Sequence, residues 1–316
     1  MKPSSVCVLG GSGFIGQHVV RRLAAQGVFV RVPTRRRERA KELILLPTVE
    51  VINADVHDPP TLQRLIAPVD AVVNLVGILH EAGEDTFERD HVQLPRKIAD
   101  ACREAGVARL VHLSALGAAF DAPSAYLRSK AEGEGQIHTA QARGSHTTIF
   151  RPSVVFGPGD RFLNLFAWLA RMLPFLVLAS PQARFQPVFV GDVARAVTDC
   201  LADPRTFGRS YDLCGPKTYT LRQLVEYVCR TLDLRRPILG LGPSLSILQA
   251  TLLEHLPGRL MTRDNVYSMQ VDSVCECAFP DWLPIAPTPL EAVVPTYLAG
   301  VTPRRRYRWF RFRARR

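Results

Sequence analysis

Tyr126 and Lys130 stand four residues apart in AYLRSK, a spacing that on a helix places a phenol and an ammonium on one face, one turn apart. An ammonium beside a phenol lowers the phenol's pKa from its ordinary value of about 10, which makes it a proton donor or acceptor at neutral pH. Alone, the spacing also fits an ordinary exposed helix. A second group has a different chemistry. In GGSGFIG, residues 10–16, glycines recur at Gly10, Gly13 and Gly16. Glycine suits a tight turn, a close approach of backbone to a pyrophosphate and close packing of helix on strand, and the helix opened by Phe14 and Ile15 offers free N–H groups to an anion. These features together predict a dinucleotide site.

Further along, VRVPTRRRER puts Thr34, Arg35 and Arg36 where a second strand ends, with no acid before Glu38. An acid at that place binds a ribose 2′-hydroxyl, whereas arginine accommodates a 2′-phosphate. The expectation is NADP(H), with Arg35 and Arg36 as the phosphate clamp and NAD(H) as the alternative; a solvated helix start is the other reading of the same charges. Asp55 and Val56 follow the third strand and border the adenine, or Asp55 caps the turn before Pro59 and Pro60. Leu75, Val76 and Gly77 end the fourth and run behind the ribose and nicotinamide.

These residues need elements to hold them. Segments 5–9, 28–32, 49–53, 70–76, 108–113 and 146–150 are short and rich in Val, Ile and Leu, and stretches of helical spacing such as Phe14–Gln26 and Arg89–Glu104 separate them. The alternation implies an α/β fold: a doubly wound parallel sheet covered on both faces, with a smaller C-terminal substrate lobe. A strand at 186–190 and helices at 191–202 and 220–232 are expected after residue 151. The divisions drawn are 1–160 for dinucleotide binding, 161–302 for the lobe with interleaved sheet elements, and a tail at 303–316.

Composition limits the partners. At 316 residues, 47% hydrophobic and 22% charged, the chain is globular, not collagenous, coiled-coil or disordered. The formal charge is +11, but the tail from Pro303 to Arg316 holds eight arginines and no acid, which leaves +3 for the other 302 residues. Within it Tyr307, Trp309, Phe310 and Phe312 alternate with arginine. That mixture suits an anionic bilayer, where each basic residue contributes about 1 kcal/mol; stacking on single-stranded nucleic acid and a solubilising tail are the alternatives. The apolar stretch from Leu163 to Ala179 contains Asn164, Arg171 and Pro174 and reads as a buried helix and loop, a pocket wall or a membrane-facing surface rather than a span. Seven cysteines without a paired framework read as reduced thiols, and Cys275 with Cys277 lacks the further ligands zinc needs, so no metal is expected. No secretion signal is seen at the N-terminus, so the expected location is cytoplasmic, peripheral on the inner face of the membrane if the tail binds lipid.

Taken together, the glycine motif, LVHLSA before Y-x-x-x-K, PVFVGDVARAV (187–197) and YDLCGPKTYTLRQLV (211–225) resemble the extended short-chain dehydrogenase/reductase superfamily of NAD-dependent epimerase/dehydratase type, over roughly residues 4–300. The resemblance implies a Rossmann fold, Tyr126 and Lys130 as catalytic and cofactor-holding residues, and contact of the RPSVVFGPGD segment, through Pro152 and Val154, with the nicotinamide side. AGVARLVHLSALGA (105–118), YLRSKAEGE and RPSVVFGPGDRFLN are similar to an atypical branch, that of the nucleotide-binding accessory subunit of respiratory complex I and its bacterial relatives. That branch implies a tightly held NADP(H), a structural or assembly role and relatives linked to ubiquinone metabolism.

The chain departs from the superfamily at the catalytic serine or threonine, where Ala115 and Leu116 stand; Ser114 comes one step early, and Ser124 is a substitute of unknown direction. His91 stands where an asparagine is common. Losing an oxyanion donor costs about 100- to 1000-fold in rate. Two readings therefore stand: a nucleotide-binding accessory protein docking to a membrane or respiratory complex, and a working NADP-dependent oxidoreductase or sugar-nucleotide epimerase/dehydratase using Tyr126 and Lys130.

Overall fold

The computed structural model describes residues 2–255 and 260–299; the tail expected at 303–316 lies outside the described residues. In chain order the elements are β1 (Ser5–Leu9), α1 (Phe14–Ala25), β2 (Phe29–Thr34), α2 (Lys41–Ile44), β3 (Val49–Asn53), α3 (Pro59–Ile66), β4 (Ala71–Asn74), α4 (Leu94–Glu104), β5 (Arg109–Leu113) and α5 (Ala125–Ala142). There follow β6 (His146–Pro152), β7 (Val155–Phe156), α6 (Phe162–Met172), β8 (Leu176–Leu178), β9 (Arg184–Phe185), β10 (Val188–Phe189), α7 (Val190–Asp199) and β11 (Arg209–Leu213). The last are β12 (Tyr219–Thr220), α8 (Leu221–Thr231), β13 (Ile238–Gly240), α9 (Pro243–Glu254), α10 (Arg263–Ser268) and α11 (Leu290–Leu298).

Seven strands form one sheet in the order β11-β6-β5-β4-β1-β2-β3, and every neighbouring pair is parallel. β4 and β5 are buried along their whole length, as strands covered by helices on both faces must be. The chain leaves β1 toward β2 on one side and later returns to β4 on the other. A crevice beyond the carboxyl ends of β1 and β4 is where such a sheet takes a ligand. Leu62, Leu65 and Ile66 of α3, Leu94 and Ile98 of α4 and Ile137 of α5 share one core with Cys7, Leu9, Val72, Leu110 and Ile149 of the strands.

Two compact units divide the chain. The first comprises Met1–Pro152, Val190–Leu213 and Cys275–Ile285; the second comprises Ser153–Phe189, Cys214–Val274 and Ala286–Arg316. In the second, α6, α8 and α11 pack Phe166, Ala170, Leu224, Val228 and Val294 around Phe156. The strand expected at 186–190 shortens there to Val188–Phe189, paired with β7. Cys7, Cys102, Cys200 and Cys229 are buried free thiols and Cys277 an exposed one. Cys214 and Cys275 are disulfide-bonded, which corrects the expectation that all seven are reduced. Among the described residues no three His, Cys, Asp or Glu side chains are grouped to hold a metal ion, and no helix is long and apolar enough to cross a membrane.

Candidate functional site

The first unit brings the glycine loop, Thr34 to Arg36, Asp55 with Val56, and Leu75 to Gly77 to the carboxyl ends of β1, β2, β3 and β4. Gly10 leaves β1 with φ +78°, and a Cβ there would lie 2.8 Å from the Leu75 carbonyl carbon and 2.9 Å from the Val76 nitrogen. At Gly16 a Cβ would come within 2.2 Å of the Gly10 carbonyl oxygen. No side chain can occupy either place, so the loop is held against its own backbone and against the segment after β4. Gly13 caps α1 without a side-chain hydrogen bond, and the first turn carries no acid. The first-turn N–H groups of Phe14, Ile15 and Gly16 have no helical acceptor and face the positive end of the helix dipole. Such a cradle, which added Cβ atoms would fill, fits a pyrophosphate.

At the end of β2 the buried Thr34 hydroxyl lies 3.2 Å from the Ser12 hydroxyl and bonds the Arg36 backbone. Arg35 is not free: its guanidinium donates in a bidentate pair to Asp85, at 2.8 and 3.1 Å. The pair holds the Asp85 carboxyl below the usual carboxylate range. Arg36 is exposed and precedes a 3-10 turn. Asp55 accepts from the His57 N–H at 3.0 Å and lies 3.7 Å from Arg89. The helix cap before Pro59 is Asp58, which accepts from the Thr61 N–H. Val56 packs against the sheet core.

Behind β4, the Leu75 N–H donates to Leu9 and the Val76 N–H to the Asn74 side chain. A Cβ on Gly77 would be 3.6 Å from His91 Nε2 and 3.9 Å from Lys130 Nζ. His91 Nε2 accepts from the Ile78 N–H at 3.0 Å, so the ring proton sits on Nδ1, 2.8 Å from the Ser129 hydroxyl, which donates onward to the Tyr126 carbonyl. Burial, then the Lys130 charge, pushes the His91 pKa down to about 2. This histidine is a neutral strut between the segment after β4 and the start of α5.

Tyr126 and Lys130 lie on α5 as the spacing requires, but their electrostatics correct the expectation. Lys130 Nζ is buried and donates to the Leu113 carbonyl at 2.8 Å, and burial lowers its pKa to about 8, against an opposing pull from Glu134. The Tyr126 phenol rises to about 12 because burial dominates. The phenol is therefore held in its donor form across neutral pH. Ser114 hydrogen-bonds through its backbone to Phe150, and its buried Oγ has no partner among the described residues. Ser124 is the α5 cap, accepting from the Leu127 N–H at 3.1 Å. Pro152 ends β6 and accepts from the Leu116 N–H. Val154 belongs to the second unit, where its carbonyl accepts from Val188.

Sequence reasoning missed Ser12, Ser129 and Asp85. Ser12 lay in full view inside the glycine motif. Ser129 carries no motif of its own, and Asp85 lies 50 residues from its partner.

A model of the NAD dependent epimerase/dehydratase family matches residues 6–214. The NADH dehydrogenase (ubiquinone) 1 alpha subcomplex subunit 9, mitochondrial, of Mus musculus is 34% identical over 228 residues, 70% of this chain and 59% of that protein. The chain therefore spans less than two thirds of that relative's length. A ceramide reductase of Caulobacter vibrioides is 33% identical over 190 residues, 60% of this chain and 58% of that one. The crystal structure of gox2253 covers 99% of both chains at a TM-score of 0.72 and 22% identity, a likeness of fold.

Proposed function

The chain belongs to the NAD dependent epimerase/dehydratase family, and on that premise we propose that it retains a nicotinamide dinucleotide, NADP(H) in preference to NAD(H), as an accessory or assembly protein. The association would be with the respiratory chain or ubiquinone metabolism, in keeping with the likeness to the mouse subunit.

One contrast carries this reading: the glycine loop that would cradle a dinucleotide is in place, whereas the usual catalytic serine or threonine is replaced and Lys130 is turned to a backbone carbonyl. The glycine loop leaves room for phosphate against bare backbone. Support for a ribose phosphate at the end of β2 comes from the Ser12 and Thr34 hydroxyls, 3.2 Å apart, from the exposed Arg36, and from Arg35 once it leaves Asp85. By contrast, Lys130 is directed to a backbone carbonyl, and Ala115 and Leu116 stand where the superfamily's serine or threonine is expected, so the usual oxyanion donor is missing.

A nicotinamide, when bound, supplies hydride exchange. The chain's own contribution is to hold: His91 and Ser129 fix the segment behind the ribose, and the Lys130 ammonium sits next to Gly77 in that segment. Native mass spectrometry of freshly purified protein, with a washout series, tests the proposal. Retained NADP(H) that resists exchange is expected; a protein that emerges empty, or exchanges within a wash, overturns it.

A second reading, a working reductase, is favoured by the phenol of Tyr126, protonated at neutral pH and able to donate to a carbonyl oxygen. The likeness to a ceramide reductase points the same way. Cofactor-dependent carbonyl reduction that Tyr126→Phe abolishes would establish it; turnover unchanged in that variant would end it.

A further inference from the structure

The second unit keeps large apolar side chains in solvent over several adjoining elements. On α9, Ser246 and Ala250 face inward, which turns Leu245, Leu248 and Leu252 outward, the last 65% exposed. On α6, Trp168 and Met172 share one face at i and i+4 spacing, with Met172 65% exposed. Phe175, in the link from α6 to β8, is 48% exposed. β8 buries Leu176 and Leu178 and turns Val177 outward, and its register partner on β13 is the exposed Leu239. Gln249 donates to the Val177 carbonyl at 3.2 Å, which holds the middle of α9 against β8. Monomeric soluble proteins rarely leave so many large apolar groups together, and such patches mark protein or membrane contacts.

Charge distinguishes the partner. From Arg161 to Ala179 and from Leu234 to Leu253 the sequence has four arginines, Arg161, Arg171, Arg235 and Arg236, and no acid. Two of these arginines tie down the backbone at the edge of the patch: Arg236 donates to the Ala170 carbonyl and Arg171 to that of Leu298. Apolar groups flanked by the exposed Arg161 and Arg235 match lipid tails beneath anionic headgroups.

We propose that this face of the second unit docks on an anionic lipid bilayer, its leucine and aromatic side chains entering the interface and Arg161 and Arg235 lying on the headgroups. The proposal stands apart from the nucleotide reading, because none of its residues belongs to the dinucleotide cradle.

Flotation of the full chain with vesicles of phosphatidylcholine, alone or mixed with phosphatidylglycerol, tests it, with circular dichroism and nucleotide retention followed in parallel. Binding to the mixed vesicles and weak binding to the neutral ones are expected. Leu248→Glu and Trp168→Glu should each lower the affinity about tenfold. Both substituted side chains are already exposed, so folding and nucleotide retention should match the parent. Flotation unchanged by both glutamates, or absent for the full chain, overturns the proposal. So does a dimer that the glutamates split without vesicle binding at any stage, which would assign the face to a second copy.

Discussion

The sheet end of the first unit and the α6–α9 face of the second treat polarity in opposite ways. Around the ends of β1, β4 and β5 the first unit buries Asn74, His91, His112, Ser129 and Lys130 and gives most of them hydrogen-bond partners: Asn74 with His112, His91 with Ser129, Lys130 with Leu113. The second unit leaves leucines of α9 and an aromatic of α6 in water. Burying polar groups is costly unless they are paired, so a unit that does so fixes geometry in advance of a ligand. Exposed apolar groups are costly until something covers them, so a unit that keeps them leaves its stabilisation to a partner. On the readings proposed above, one region holds a small molecule and the other meets a surface.

The strongest way to break this contrast is Gly16→Ala. With a Cβ 2.2 Å from a backbone oxygen, the loop must move, and a loss of about 3 kcal/mol in urea unfolding is expected, together with loss of nucleotide retention. A variant that keeps both would show that the cradle is not sterically defined.

Proton linkage probes the buried polar groups next. Lys130 has its pKa lowered from 10.5 to about 8 in the folded chain, so between those values the unfolded chain binds more protons and stability rises with pH. Comparison of the parent with Lys130→Met across this window should show that contribution vanish. His91, lowered from 6.5 to about 2, works on the acid side. Stability falls as pH drops below about 6.5, because only the unfolded chain takes up that proton. The slope should be shallower by one proton in His91→Gln, measured by thermal or urea unfolding at stepped pH.

Asp85→Asn gives a smaller and sharper test. Releasing Arg35 from an exposed ion pair, worth up to about 1 kcal/mol, should tighten NADP(H) relative to NAD(H) by about fivefold in titration calorimetry; an unchanged ratio would remove Arg35 from the 2′-phosphate site. Smallest of all, Leu248→Glu should alter unfolding free energy by less than about 0.5 kcal/mol, since its side chain already meets water. A large loss there would mean that α9 is core after all.

Much of the first unit was legible before its structure. The runs around Val6–Leu9 and Val72–Val73 are apolar because both sheet faces are covered, and the observed strands fall within a few residues of those expected. β11 was not recognised: RSYDL pairs only with β6, at the edge of the sheet, and its exposed beginning carries no apolar run. Tyr126 and Lys130 share a face of α5 as their spacing requires, yet the expected electrostatic coupling failed, since burial acts more strongly on both groups than they act on each other. Ser124 was ambiguous in sequence for a related reason. A serine before a helix is both a good cap and a good donor, and only the backbone shows that Leu127 claims it.

What the sequence determined by itself was periodic or local: apolar runs that demand a covered sheet, and three glycines whose spacing leaves no room for side chains in a turn from strand to helix. Such properties depend on neighbours a few residues away. Tertiary structure alone decided which acceptor took the Lys130 ammonium, which carboxylate reached Arg35 across 50 residues, and which leucines of the second unit stayed in water. Those outcomes are competitions between groups distant in the chain, and packing, not pattern, chooses among them.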